Sequence, residues 1–195
     1  MDKVRLSSET GPTDGDPMGR ARAFAIRAHG AQMRKFSGQP YVVHLDAVVR
    51  ILQSFGITAA PVLAAAYLHD TVEDTEASIE DILKAFVEEI AELVYWLTDA
   101  EQGKRKIRKL MSAWRLGRAP FDAKLIKLAD FIDNTHDICR HDRHFAPVYL
   151  REKAKILAMM ARSEGERLTS LPIFIEASRI THLEGAHPTN AREAL

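Results

Sequence analysis

The sequence predicts an all-α fold in a single domain, and three observations carry that prediction. Apolar residues recur at spacings of three and four from Pro17 to about His182, which is one face of a 3.6-residue period. No stretch alternates apolar and polar residues between turn signals, so nothing reads as a strand or hairpin. The chain has 195 residues, 46% of them hydrophobic, enough for one sizeable core, and no internal repeat or linker divides it. Roughly 8 to 10 helices follow from the periodic segments.

In order, residues 1–16 carry Ser, Thr, Gly, Pro and Asp without periodicity and read as a flexible tail. Pro17 opens a helix with Met18, Ala21, Phe24, Ala25, Ala28 and His29 inward, expected to run to about Met33. The basic loop Arg34-Lys35-Phe36-Ser37-Gly38-Gln39-Pro40 breaks it. Helix resumes from Tyr41 to Phe55, with Gly56 as a C′ glycine. Thr58 as N-cap and Pro61 open a helix that leads to His69 and closes at Asp74-Thr75. Ser78, with Asp81 three residues on, is a weak capping box ahead of Ile79 to Phe86; Ile90 to Leu97 follows. Thr98 to Lys106 is a polar loop or frayed end, and Ile107 to Leu116 a basic helix. Gly117 and Pro120 punctuate before a long helix from Phe121 to Cys139. Pro147 and Pro172 open the last two helices, to about Arg162 and His182. Residues 184–195 read as a second tail, leaving 17–183 as the folded domain.

Charge and composition exclude several function classes. Lys plus Arg equals Asp plus Glu, 27 each, so the chain is not built as a bulk binder of nucleic-acid polymers or membranes. The single cysteine, Cys139, forbids an internal disulfide and fits a reducing compartment. No apolar run approaches the roughly 20 residues that span a bilayer, and the N-terminus lacks an apolar signal core. A cytoplasmic, soluble protein is the expectation, with homo-oligomerisation left open.

The richest chemistry lies in His69-Asp70-Thr71-Val72-Glu73-Asp74-Thr75, directly after the apolar run Ala64 to Leu68. On a continuous helix Asp70 lies under Asp74 and His69 under Glu73, so one rim presents an imidazole and three carboxylates. Such a group is costly to bury without a cation or hydrogen-bond partners. Taken alone, the motif also fits a solvated helix end. His44 stands near the start of the second helix, where a lone histidine is more often structural. Asp130 interrupts an apolar stripe with Asn134 at i+4, and a salt bridge to Lys127 is an equal reading. Arg34-Lys35 is a charge pair in a mobile-looking loop, and such pairs are usually solvated.

Together His44, His69, Asp70 and Asp130 make a mixed nitrogen and oxygen ligand set suited to Mn²⁺, Fe²⁺ or Zn²⁺. Four protein ligands leave open positions only at higher coordination, which favours Mn²⁺ or Fe²⁺ over tetrahedral Zn²⁺. Glu73 and Asp74, one turn on, are placed to orient or deprotonate a water. Arg34 and Lys35 are suited to phosphates or to stacking on a base.

The order H…HD…D resembles the HD phosphohydrolase superfamily. The fuller pattern resembles the hydrolase domain of the RelA/SpoT family of alarmone enzymes, in its small hydrolase-only form. Its pieces are Ala28-His29-x-x-Gln32-x-Arg34-Lys35, Gly38-x-Pro40-Tyr41-x-x-His44, Leu68 to Thr75, and Ile126-Lys127-Leu128-Ala129-Asp130-x-x-x-Asn134, spread over about residues 20 to 160. The resemblance implies an HD-type helical bundle. It implies a Mn²⁺-dependent enzyme of the stringent response that removes the 3′-pyrophosphate of guanosine tetra- or pentaphosphate, yielding GDP or GTP. Co²⁺, Fe²⁺ and Zn²⁺ are alternative metals. It implies His44, His69, Asp70 and Asp130 as metal ligands and Glu73 and Asp74 as the catalytic acidic pair. Arg34, Lys35, Ser37 and Asn134 become contacts to a small nucleotide.

The chain also departs from that pattern. After the last metal aspartate the family usually reads Arg-x-His-Asn-Met-Arg, and here the residues are Phe131-Ile132-Asp133-Asn134-Thr135-His136. Phe36 is an extra residue between Lys35 and Ser37. These changes bear on the substrate more than on the reaction, leaving an adenosine alarmone, NADPH or a nucleoside monophosphate as alternatives, with a catalytically silent nucleotide-binding protein as a further one. Trp96 and Trp114 read as core or interface, and His136, His141 and His144 as part of a polar loop.

Overall fold

The computed structural model describes residues 16–99 and 103–185, and every described element is helical apart from one isolated antiparallel bridge between Met33 and Pro40. There are nine helices of seven residues or more and two single-turn segments among the described residues. The all-α prediction holds.

α1 (Pro17–His29) starts on Asp16, whose side chain accepts from Gly19 N at 3.0 Å. It ends four residues earlier than the periodicity predicts. Gly30, at φ +54°, takes the chain out of the helix, a conformation that costs glycine little. The following loop is closed by two backbone hydrogen bonds: Arg34 N donates to Gln39 O at 2.7 Å and Gly38 N to Arg34 O at 3.0 Å. α2 (Val42–Ser54) ends as predicted, with Gly56 at φ +80° one residue past the cap.

α3 (Ala60–Leu68) is capped at Ala59 rather than Thr58, and Val62 to Leu68 are all buried. A helix apolar all round sits inside a bundle, and α3 packs against α1, α2, α6 and α8. It does not run on to Thr75. The helix breaks at His69-Asp70 and a single turn follows, α4 (Thr71–Asp74). α5 (Ile79–Ala85) opens on the reciprocal capping box of Ser78 and Asp81, and α6 (Glu88–Leu97) follows.

α7 (Arg105–Arg118) continues through Gly117, which lies within the helix against the Met159 backbone instead of ending it. α8 (Phe121–His141) is the longest element, 21 residues. His136 and His141 therefore stand on its last two turns, and only His144 lies in a loop. α9 (Ala146–Glu164), the single turn α10 (Glu166–Thr169) and α11 (Pro172–Gly185) complete the order. Of the two expected tails, residues 1–15 and 186–195 lie outside the described residues.

The core is built from α2, α3, α6, α8 and the inner faces of α7, α9 and α11, with Leu45, Leu52, Leu68, Ile90, Leu97, Leu116, Ile126 and Leu128 all fully buried. Each such side chain contributes about 1.5–3 kcal/mol from burial, and together they fix the three helices that carry the polar site. Trp96 packs on this core. Trp114 is 51% exposed, with the Arg118 guanidinium 4.8 Å above its ring. No helix among the described residues is long and apolar enough to cross a membrane.

Candidate metal centre

Three core helices each deliver one or two polar groups to a single point. The apolar α3 carries His69 and Asp70 into the interior on its C-terminal end. His69 is 0% exposed, and its Nδ1 lies 2.8 Å from Ala66 O. A carbonyl only accepts, so Nδ1 carries the proton and Nε2 presents its lone pair to the cluster. α2 supplies His44, 1% exposed, whose Nδ1 lies 2.6 Å from Asp133 Oδ2. α8 supplies Asp130.

The donor atoms converge. His44 Nε2 is 3.4 Å from His69 Nε2 and 3.5 Å from both Asp70 Oδ2 and Asp130 Oδ1. His69 Nε2 is 3.1 Å from Asp70 Oδ2 and 3.8 Å from Asp130 Oδ1. One donor atom from each of His44, His69 and Asp130 falls within 4.8 Å of the others. Donors bound about 2.1 Å from one cation sit roughly 3.0–3.5 Å apart at octahedral to tetrahedral angles, so the cluster has the size of a mononuclear divalent site. His44, His69 and Asp130 meet within that distance, and Asp70 Oδ2 approaches both imidazoles from beside them.

The surroundings complete the case. Asp70 Oδ2 accepts from the Tyr41 hydroxyl at 2.6 Å. Asp130 divides its oxygens: Oδ2 pairs with Lys127 Nζ at 3.0 Å, while Oδ1 faces the imidazoles and accepts from the Asn134 amide. The salt-bridge and metal readings of Asp130 are thus compatible, one oxygen each. Burial alone would push the Asp130 carboxyl up, but Lys127 and His69 hold it well below the usual range. Burial likewise disfavours a charged His69, yet Asp70 and Asp130 carry its pKa up to about 10. Buried carboxylates beside imidazoles that turn Nε2 towards them suit a divalent cation, which supplies positive charge with neutral imidazoles as ligands.

The acidic pair lies at the rim. Glu73 and Asp74 are exposed on α4. Asp74 N donates to Asp70 O at 2.9 Å, so Asp74 stands one turn from Asp70 despite the helix break. Glu73 Oε2 accepts from the Asp99 backbone at 3.1 Å, and Asp74 Oδ2 from Gln32 Nε2 at 3.2 Å.

The basic loop overturns one expectation. Arg34 is 8% exposed and paired with Asp133 at 2.8 Å and Asp137 at 3.3 Å, so it is no solvated loop charge. The cause is two carboxylates one turn apart on α8, aimed at the loop. Its NH2 group also reaches Asn134 Oδ1 at 3.5 Å. Lys35 is exposed, with Nζ 5.2 Å over the Phe36 ring. Ser37 Oγ is buried without a hydrogen-bond partner among the described residues, at the wall of a cavity of about 380 Å³ that Arg34, Gln39, Asp133, His136 and Arg140 also line. No role was assigned from sequence to Asp133, Tyr41 or Gln32, although all three stand in the motif segments. The spacing of Asp133 from Asp130 and of Tyr41 from His44, three residues in each case, was the available signal.

A family model of the HD domain matches residues 21–166. A Homo sapiens protein named guanosine-3′,5′-bis(diphosphate) 3′-pyrophosphohydrolase MESH1 is 39% identical over 122 residues, 62% of this chain and 68% of its own length. A guanosine-3′,5′-bis(diphosphate) 3′-pyrophosphohydrolase of Aquifex aeolicus is 31% identical over 157 residues, 79% of this chain but 22% of its own. The chain therefore spans about two thirds of the human relative and about a fifth of the bacterial one. A solved structure described as a metazoan ortholog of SpoT that hydrolyses ppGpp superposes with a TM-score of 0.78 at 31% identity, covering 90% of this chain and 98% of that one. The chain belongs to the HD-domain family, and within that family its likeness is to the alarmone hydrolases.

Proposed function

We propose that this chain is a metal-dependent hydrolase that removes the 3′-pyrophosphate of guanosine tetra- or pentaphosphate, giving GDP or GTP and pyrophosphate. The observation that carries the reading is the convergence of His44, His69, Asp70 and Asp130 within one buried cluster beside a nucleotide-sized cavity. The relatives' names support the substrate. Mn²⁺ is the metal we favour, because nitrogen and oxygen donors suit it and four protein ligands leave room for substrate at higher coordination; Fe²⁺, Co²⁺ and Zn²⁺ compete for the same set.

A cation held there supplies Lewis-acid polarisation of a phosphoryl oxygen and acidifies a water. The remaining work falls to the chain. Glu73 and Asp74 accept the proton of the water that attacks the phosphorus on the 3′ oxygen. The new P–O bond forms as the P–O3′ bond breaks, and the same acidic pair returns a proton to the departing 3′ oxygen. Lys127 keeps Asp130 ionised, so that ligand does not compete for those protons. Ser37 at the cavity wall and the exposed Lys35 bind the nucleotide, with Asn134 oriented between Asp130 and Arg34.

One observation favours a second reading of the substrate. Arg34, the loop cation best suited to a base or phosphate, is already held by two carboxylates. A different phosphorylated nucleotide, such as an adenosine alarmone, NADPH or a nucleoside monophosphate, then becomes the competitor. The test is product analysis with Mn²⁺ on guanosine tetraphosphate, its adenosine counterpart, NADPH and a nucleoside monophosphate, with Asp70→Ala as control. Pyrophosphate released from the guanosine substrate and lost in the variant is the expected result. Orthophosphate from monophosphates or NADPH alone moves the function to a general nucleotidase. No turnover alongside tight metal binding makes it a silent binder.

A further inference from the structure

We infer that Asp133 is a positioning residue that ties the metal ligand His44 to the substrate-loop arginine Arg34 through one carboxylate oxygen. The inference rests on the metal-site reading above and extends it to a residue outside the ligand set.

The geometry is specific. Asp133 Oδ2 lies 2.6 Å from His44 Nδ1 and, at the same atom, 2.8 Å from Arg34 NH1. His44 can face the cluster with Nε2 only if Nδ1 carries the ring proton, and a carboxylate at Nδ1 is the group that fixes that tautomer and ring plane. It also makes Nε2 a stronger donor. His69 meets the same need differently, with the Ala66 carbonyl at Nδ1. The two imidazoles therefore differ in their support, and only that of His44 carries a charge.

The charge is what makes the link to Arg34. The oxygen that fixes His44 has a second lone pair, and the guanidinium takes it. Arg34 then reaches Asp137 at 3.3 Å, and Asp137 reaches His141 at 3.2 Å. A continuous line of polar contacts runs from His44 through Asp133 and Arg34 to Asp137 near the end of α8. A neutral histidine at this position would offer one acceptor nitrogen and could not take both donors, whereas the carboxylate oxygen takes both.

The consequence is a split between two measurable quantities. Removing Asp133 frees the His44 ring and lets Arg34 swing, so metal affinity and substrate affinity fall together. Removing Asp137 loosens Arg34 alone. The test uses the full chain and titrates Mn²⁺ by calorimetry and by loss of its free-ion electron paramagnetic resonance signal, with no nucleotide present. Asp133→Ala is expected to raise the Mn²⁺ Kd roughly 10- to 100-fold, the effect usual for a partner of a metal-ligating histidine. Asp133→Asn keeps the volume and an acceptor for Nδ1 without the charge, folds where the alanine variant fails, and raises Kd by a smaller factor. Asp137→Asn leaves Kd within about twofold of wild type and raises KM without lowering kcat. A folded Asp133→Ala that binds Mn²⁺ as tightly as wild type overturns the inference and leaves the hydrolase reading standing. Wild type that binds Mn²⁺ with the expected Asp133 effect, yet hydrolyses no 3′-pyrophosphorylated nucleotide, removes the substrate reading and leaves Asp133's role intact. Wild type that binds no Mn²⁺ removes both.

Discussion

Lys124 and Lys127 stand one turn apart on α8, both buried and both paired with a carboxylate, yet their surroundings differ. Lys124 is 1% exposed and bonds Glu164 at the end of α9; that carboxylate otherwise meets the exposed Arg167 at 3.5 Å. Lys127 pairs with Asp130, whose second oxygen faces two imidazoles. The first pair staples two helices. The second holds one oxygen of a site open to a cation. A buried ion pair is therefore no marker of function by itself; the marker is a carboxylate whose other oxygen joins a converging set of donors.

The largest effect that can break this distinction comes from the ligands themselves. Asp130→Ala or His69→Ala is expected to lower kcat/KM at least about a thousandfold, the loss of several kcal/mol of charge stabilisation, and to abolish Mn²⁺ binding in the same titration. Next, Glu73→Gln or Asp74→Asn is expected to lower kcat by about 10²–10⁴-fold with Mn²⁺ binding retained, as for loss of a proton-transfer group. Steady-state kinetics beside a metal titration separates the two classes. A variant of the acidic pair that loses metal instead belongs with the ligands.

The lysines come third. Lys124→Met is expected to cost about 3 kcal/mol of stability in urea unfolding, because Glu164 is left without its buried partner, while kcat and Mn²⁺ affinity stay at wild-type values. Lys127→Met is expected to lower kcat about tenfold, since Asp130 loses the charge that keeps it ionised. Equal silence in activity from both variants would erase the contrast between the pairs.

The smallest effect concerns Lys153, half-buried on α9 with its ammonium 4.2 Å over the Phe131 ring and 4.8 Å over that of Tyr149. Burial, followed by repulsion from Lys127, lowers its pKa from 10.5 to about 8. The unfolded chain keeps its proton up to about pH 10.4, so the folded state is penalised fully below pH 8, and stability rises between the two values. Lys153→Met is expected to gain about 1–2 kcal/mol at pH 7, the released penalty less the lost cation–π contact. That gain fades by about pH 10.5, and unfolding curves at pH 7 and pH 10.5 measure it.

Much of this was legible in sequence because it depends on local pattern. The period of three and four located the helices, and His69-Asp70 after an apolar run and Asp130 within one stood out, while His44 drew notice only alongside them. What was not legible depends on approach between elements. Nothing near Arg34 in the chain announces Asp133 and Asp137, which lie about a hundred residues away and turn a loop cation into a buried one. The break at His69-Asp70 was hidden because no Gly or Pro marks it; His69 instead bonds back to Ala66 while Asp70 turns towards Tyr41. Gly117 misled for the opposite reason, since a glycine inside a helix at a close contact resembles a terminator in sequence alone.

The central claim is that water attacks phosphorus at the 3′-pyrophosphate under the control of this one cluster. The most direct measurement is turnover of guanosine tetraphosphate with Mn²⁺ in ¹⁸O-labelled water, read by ³¹P NMR and mass spectrometry. The account predicts one ¹⁸O in the released pyrophosphate, none in GDP, and no turnover in Asp130→Ala. Label in the nucleoside, orthophosphate as the product, or undiminished turnover in Asp130→Ala would contradict it.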